Sequence, residues 1–246
     1  KADLATINGY TDVILSTANI TVTDNVNKTE ADIIDAYSNT SGTVTLTSIT
    51  DTVSNVTAVE NNANISLDSS TITVTDAATL VNANAINNFT TGQVTLNVVQ
   101  DTVSNITSID GLTTSEVSMG DAAVTVTDAA TLANANAING FTTGQVTLNV
   151  VQDTVSNITS INGLTTSEVS MAAAAVTVSD AASFANADAI NGFTTGKVTL
   201  NSVEDTYSKI QDIKSIADAQ VDMGAATVKV SDNVTKTEVD DLRTDT

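Results

Sequence analysis

Nine aspartates carry the only potentially reactive pattern that recurs along this chain. Asp24, Asp51, Asp76, Asp101, Asp128, Asp153, Asp180, Asp205 and Asp232 return once in each half of a repeating unit. Carboxylates spaced in this way could do three things. A close pair could act as general acid and base. A column of them could hold Ca²⁺, which takes hard oxygen ligands and would relieve their mutual repulsion. Each could also accept backbone N–H groups at the start of a helix, where the helix dipole favours negative charge. Catalysis fits worst, because a catalytic pair would break the repeat and these residues define it. The chain has no histidine and no cysteine. That excludes Ser-His-Asp and Cys-His nucleophilic systems and zinc sites built on imidazole or thiolate. No Gly-rich phosphate loop, EF-hand loop or calcium nonapeptide is present, and Thr-Gly-Gln and Asn-Gly are turn chemistry. The sequence therefore assigns no catalytic, cofactor-binding or metal-ligating residue. Helix capping is the first expectation for the aspartates, with Ca²⁺ as the alternative.

The elements that position these carboxylates follow from the repeat. Asp24, Asp76, Asp128, Asp180 and Asp232 stand 52 residues apart, each after a strand-like run: ITVTD, ITVTD, VTVTD, VTVSD, VKVSD. Such a period marks a solenoid or array, in which each unit packs on its neighbours. The chain is expected to be a single elongated repeat domain over residues 1–246, a window of a longer array, with units beginning near those five aspartates.

Each unit contains two related halves. Ile138-Asn139-Gly140-Phe141-Thr142-Thr143-Gly144-Gln145-Val146-Thr147-Leu148 in one half matches Ile161-Asn162-Gly163-Leu164-Thr165-Thr166-Ser167-Glu168-Val169-Ser170-Met171 in the other. Gly111, Gly140, Gly163 and Gly192 follow at spacings of 29, 23 and 29 residues, and Asn88 stands at the same site. Glycine or asparagine there is expected to end a helix in the left-handed conformation. A strand follows, with apolar residues two apart: Val13/Leu15, Val44/Leu46, Ile65/Leu67, Val94/Leu96, Val117/Met119, Val146/Leu148, Val169/Met171, Val198/Leu200 and Val221/Met223. That alternation buries one face and leaves the other polar. The longer half carries a second strand, such as Ala123 to Thr127.

The helices are expected to begin at aspartate N-caps, as in Asp128-Ala-Ala-Thr-Leu and Asp153-Thr-Val-Ser-Asn. Their apolar positions are Leu132, Ala135, Ile138 and Phe141 in one kind and Val155, Ile158, Ile161 and Leu164 in the other. A step of three covers one broad face of a short α-helix. The predicted fold is an α/β solenoid with a parallel sheet and a 52-residue period made of two half-repeats. Strands lie about 4.8 Å apart and helices cover one face. A pure parallel β-helix is the alternative.

Composition sets the partners. The net charge of −21 excludes the basic footprint that nucleic acid needs. No stretch approaches the roughly 20 apolar residues of a spanning helix. Aromatic residues are only 3%, so the core must be Val, Ile, Leu and Ala. Absent cysteine and a Thr/Asn/Ser-rich surface fit an exported protein, and zero proline suits a continuous hydrogen-bonded ladder.

Three further patterns bear on function. Thr21/Thr23, Thr73/Thr75, Thr125/Thr127 and Thr177/Ser179 would align on one face and resemble the arrays of β-solenoid ice-binding proteins. The plain alternative is β-propensity on a solvated face. Lys229 and Ser231 break the array in the last copy. Asn-x-Ser/Thr sequons recur at Asn19, Asn55, Asn105, Asn157 and Asn233 and matter only if the source glycosylates exported proteins. Residues 1–38 align with 209–246, so Asp24 to Glu30 recurs as Asp232 to Glu238 at an offset of four units. Open ends of this kind favour head-to-tail self-association, and a contact that does not close makes a filament.

The alternation of VTVTDAAT with DTVSNI, ending in INGxTT, resembles the tandem repeats of very large secreted bacterial surface proteins: adhesin stalks, surface-layer and extracellular matrix types. That resemblance covers nearly the whole chain. It implies an extracellular or cell-surface structural role without enzyme activity. The expected function is a rod, fibre or lattice element. A binding module is the alternative, either a Ca²⁺-dependent adhesin contacting a cell surface or glycan, or an ice-binding face.

Overall fold

A computed structural model describes residues 1–10, 15, 17–38, 42–112, 117–164, 168–217 and 220–243. Val13 of the expected first strand pair, and Thr165, Thr166 and Ser167, lie outside them. The chain forms two compact units, Lys1–Ala123 and Val124–Thr246.

In the first unit the elements alternate as α1 (Ala2–Asn8), β1 (Ile20–Val26), α2 (Lys28–Ser38), β2 (Val44–Asp51), α3 (Val53–Glu60), β3 (Ile65–Ser66), β4 (Thr71–Ala78), α4 (Leu80–Asn87), β5 (Val94–Asp101), α5 (Val103–Leu112) and β6 (Val117–Ser118). The second unit opens within β7 (Ala123–Ala130). It continues through α6 (Leu132–Asn139), β8 (Val146–Asp153), α7 (Val155–Leu164), β9 (Val169–Ser170), β10 (Ala175–Ala182), α8 (Phe184–Asn191), β11 (Val198–Asp205), α9 (Tyr207–Ala217), β12 (Val221–Asp222), β13 (Thr227–Val230) and α10 (Lys236–Arg243). These are repeated strand–helix coils of an α/β solenoid-like repeat. The helical segments are α-helical, which removes the pure β-helix.

The strands pair in parallel. In the first unit β2 lies between β1 and β4, β4 pairs β5, and the short β3 extends along β2. In the second, β8 lies between β7 and β10, β10 pairs β11, β9 extends along β8, and β12 and β13 both lie on β11. Like residues meet across the ladder: Ile72 stands beside Ile49 and Val94, and Val176 beside Val151 and Val198.

The expected apolar pairs supply the core. Each of the eight from Val44/Leu46 to Val221/Met223 is buried. From the helices come Ala83 and Ile86, Ala135 and Ile138, Ile158 and Ile161, at the predicted step of three. Burying each such aliphatic side chain contributes about 1.5–3 kcal/mol relative to exposure. Alanine at the middle position of α4, α6 and α8 lets the helix lie close to its sheet.

Two expectations about the helix ends are corrected. The helices do not end in a left-handed residue: Asn88, Gly140 and Gly192 all have φ between −72° and −78°. Gly111 and Gly163 lie inside α5 and α7 instead of after them. The chain leaves its last turn through i→i−3 bonds, such as Phe141 N–H to the Ile138 carbonyl at 3.0 Å, and needs no left-handed residue to do so. Nor do the helices start at aspartate. Thr79, Thr131 and Ser183 are the N-caps of α4, α6 and α8, each in a reciprocal capping box with Asn82, Asn134 or Asn186. Asp128 lies in β7 and Asp153 closes β8.

Candidate functional site

The aspartates do cap helices, but the first helical amide that each closes belongs to the preceding coil. The first amide of α4, Leu80 N–H, donates to Asp101 Oδ2 at 2.9 Å. Leu132 N–H of α6 donates to Asp153 at 2.8 Å, and Phe184 N–H of α8 to Asp205 at 3.0 Å. In the first unit Lys28 N–H of α2 reaches Asp51 at 2.8 Å and Val53 N–H of α3 reaches Asp76 at 2.7 Å. Val155 N–H of α7 and Tyr207 N–H of α9 reach Asp180 and Asp232 at 2.8 and 2.9 Å. In every case the carboxylate belongs to the following coil.

Strand geometry explains the placement. Asp76 falls on the alternation of buried Ile72, Val74 and Ala78, and so on the helix-bearing face. A bulge between Val74 and Ala77 shifts the register there, as bulges between Val22 and Asn25, Val126 and Ala129, and Val178 and Ala181 do in the other copies. Asp101 follows buried Val99 by two positions and takes the same face.

The aspartates that close β2, β5 and β8 are the most fully engaged. In Asp153, one oxygen holds Leu132 N–H. The other accepts Thr154 N–H at 2.8 Å and Asn157 Nδ2 at 2.9 Å. Asp51 and Asp101 repeat the arrangement with Thr52 and Asn55, and with Thr102 and Asn105. Burial alone would raise these carboxyls. The hydrogen bonds to their charged form outweigh it and hold Asp51, Asp101 and Asp153 below the ordinary aspartate value. The sequons at Asn55, Asn105 and Asn157 therefore lie in helices, with their amides already donated to an aspartate. Among the described residues no group of three or more acidic side chains is arranged to hold a metal ion.

A second device joins coils on the loop side. Thr90 Oγ1 donates to the Ser70 carbonyl at 2.6 Å and accepts from Gly92 N–H at 2.9 Å. Thr91 N–H and Oγ1 both reach the Asp68 carbonyl at 2.8 Å. Thr194, Thr195 and Gly196 do the same to Ala174 and Ala172. The glycine is required by proximity. A Cβ on Gly92 would lie 2.3 Å from the Ser70 carbonyl oxygen, and one on Gly196 would lie 2.2 Å from that of Ala174. Composition points to a turn here. The sequence signal for the contact itself is that Thr-Thr-Gly returns after each Asn-Phe or Gly-Phe.

The threonines stand in register, but not in the single array expected. Thr73 stands between Thr50 and Thr95, whereas Thr21 lies beside Thr45 in a separate row that continues to Ser66; Thr125 stands beside Thr147 and Thr177 beside Thr199. Thr23, Thr75, Thr127 and Ser179 fall where the bulges shift the register. Thr21, Thr23, Thr75, Thr127 and Ser179 are exposed, while Thr73, Thr125 and Thr177 are half-buried. In the last copy Lys229 instead forms an ion pair with Glu204.

Comparison of the chain with protein-family models, with characterised proteins and with solved structures gives no match.

Proposed function

We propose that this chain is a non-enzymatic structural repeat protein of the extracellular or cell-surface kind, which builds a fibre or lattice by stacking coil upon coil. One observation carries the proposal: in α2–α4 and α6–α9 the first helical amide is closed by an aspartate of the coil that follows. The same residue type performs the same task in successive coils of each unit. Such a device extends a structure. The acidic Thr/Asn/Ser surface, the absence of cysteine and the resemblance to secreted tandem repeats support the location. Among the described residues no helix is long and apolar enough to cross a membrane. Electron microscopy of the purified chain tests the reading. Uniform filaments with an axial repeat of four units support it, and dispersed single chains count against it.

A second reading rests on the in-register threonines around Thr73. An ordered hydroxyl face could bind ice or a glycan surface. Thermal hysteresis that vanishes when Thr50, Thr73 and Thr95 are replaced by lysine would support that reading.

A further inference from the structure

Four Asn-Gly steps occur in the chain: Asn8-Gly9, Asn139-Gly140, Asn162-Gly163 and Asn191-Gly192. Such a step can react with itself. The glycine amide nitrogen attacks the asparagine side-chain carbon, and glycine has no Cβ to crowd the approach. A Cγ–N bond forms, the Cγ–Nδ2 bond breaks, and the leaving nitrogen takes the amide proton and departs as ammonia. Water then opens the five-membered imide at either carbonyl. The net change is asparagine plus water to aspartate or isoaspartate plus ammonia, with no oxidation or reduction.

At Asn139 the fold opposes each part of that reaction. Gly140 N–H donates to the Asn136 and Ala137 carbonyls at 3.2 and 3.0 Å, so the nucleophile is engaged. Asn139 is the last residue of α6, and closing the ring requires its backbone to leave the helical range. Its Oδ1, where negative charge would develop, is buried and accepts no hydrogen bond among the described residues. Its Nδ2, the leaving group, donates to Glu168 Oε2 at 2.8 Å, in the turn before β9.

The same contact sets the consequence of reaction. Asp35 holds the position of Asn139 in the first unit, eleven residues after Asp24 as Asn139 is after Asp128. There the acid is on the helix and the amide is in the turn before β3: Asn62 Nδ2 donates to Asp35 Oδ2 at 2.9 Å. Each tie needs one acid and one amide. Conversion of Asn139 sets two carboxylates face to face, and neither donates when ionised. Asn162 differs, because Asp110 already holds its position in α5, a helix of the same length as α7.

We propose that Asn139-Gly140 is a modification site guarded by the fold: when the last turn of α6 opens, Asn139 converts to aspartate or isoaspartate, and its tie to Glu168 is permanently lost. The inference stands independently of the stacking function. Peptide mapping of the full chain, incubated in mildly alkaline buffer with and without urea, tests the guard. Conversion at Asn139 is expected to be about tenfold or more slower in the folded chain, because it must await local opening. Equal rates would overturn the guard. Glu168→Ala is expected to speed conversion at Asn139 in the folded chain and to leave that at Asn191 unchanged. Acceleration at both sites, or at neither, would overturn the role of Glu168.

Variants test the consequence. Asn139→Asp is expected to lower the urea midpoint. Asn139→Asp combined with Glu168→Gln is expected to recover it, by restoring an acid–amide tie with the polarity of Asp35 and Asn62. Asn162→Asp is expected to leave the midpoint unchanged. An Asn139→Asp chain as stable as wild type, or a double variant no more stable than that single variant, would overturn the loss of the tie.

Discussion

Asp153 Oδ2 lies 2.8 Å from the Leu132 amide nitrogen, 21 residues earlier in the chain. The carboxylate thereby finishes α6 while its second oxygen holds the start of its own helix, α7. Replacing Asp153 with alanine strips three donors of their acceptor at once. The expected loss is about 1–2 kcal/mol, the range of a strong helix cap. Urea denaturation checks it, and hydrogen exchange should quicken in the first turns of both α6 and α7.

The acid limb of stability follows from the same groups. Asp51, Asp101 and Asp153 have folded-state values below the ordinary aspartate value of about 3.9. Their stabilisation is complete above that value and is lost as pH falls through the lower folded-state value. Glu60 acts in the opposite sense. Burial, with Asp68 adding to it, raises its value, so its contribution is present at low pH and lost as pH rises through the raised value. The urea midpoint should therefore fall more steeply below about pH 4 in the wild type than in the triple variant Asp51→Asn, Asp101→Asn, Asp153→Asn. Neutralisation of the remaining carboxylates acts on both proteins alike, so the difference between the curves isolates these three.

Two glycines should respond in opposite directions. A Cβ on Gly196 would sit 2.2 Å from the Ala174 carbonyl oxygen, a backbone atom that cannot yield without moving the coil. Gly196→Ala is expected to cost about 1–3 kcal/mol. Gly163 lies in α7 with open space around its Cα. Gly163→Ala is expected to gain about 0.5–1 kcal/mol through helix propensity. Thermal melts of the two variants decide it.

Thr194 is buried and serves two partners, the Ala174 carbonyl at 2.6 Å and Gly196 N–H at 2.9 Å. Valine fills the same volume without the hydroxyl. The expected cost of Thr194→Val is about 1–3 kcal/mol, that of leaving buried polar groups unpaired. Thr195→Val, at an exposed position with a bond of 3.1 Å, should cost less.

If capping by backbone amides is the task of the aspartates, chelation should leave the fold untouched. Melting temperatures with and without EGTA are expected to coincide. A large fall on chelation would assign the carboxylates to calcium instead.

Much of the fold was legible because the repeat tests each inference several times. The Val/Leu pairs are buried as alternation dictates, and Ala135 and Ile138 face inward as the step of three requires; the bulges after Val74 and Val126, which alternation does not reveal, break up the expected threonine array. The helix ends were less legible. Asp-Ala-Ala-Thr contains two residues able to cap, and residue type alone does not choose between them. The strand instead runs on to Ala130, which leaves Thr131 as the cap. Gly140 follows the last turn but keeps a right-handed conformation, a torsion that residue type does not reveal. The partner of Asp153 was hidden for another reason. Leu132 carries no side-chain signature of its role, because the group that matters is its backbone N–H. Thr-Gly-Gln at Gly92 signals only a turn, and the neighbouring coil, whose Ser70 carbonyl oxygen would lie 2.3 Å from a Cβ, is what excludes a side chain there.

The span between each helix and its cap bears on how the chain forms. From Lys28 to Asp51, Leu80 to Asp101 and Val155 to Asp180, the closing carboxylate comes 21 to 25 residues downstream. Until that strand is made, the first amide of each of these helices lacks its acceptor, and the helix start rests on its local cap alone, Thr79 in α4 and Thr52 in α3. Order is therefore handed along the chain in one direction, a later segment completing an earlier one.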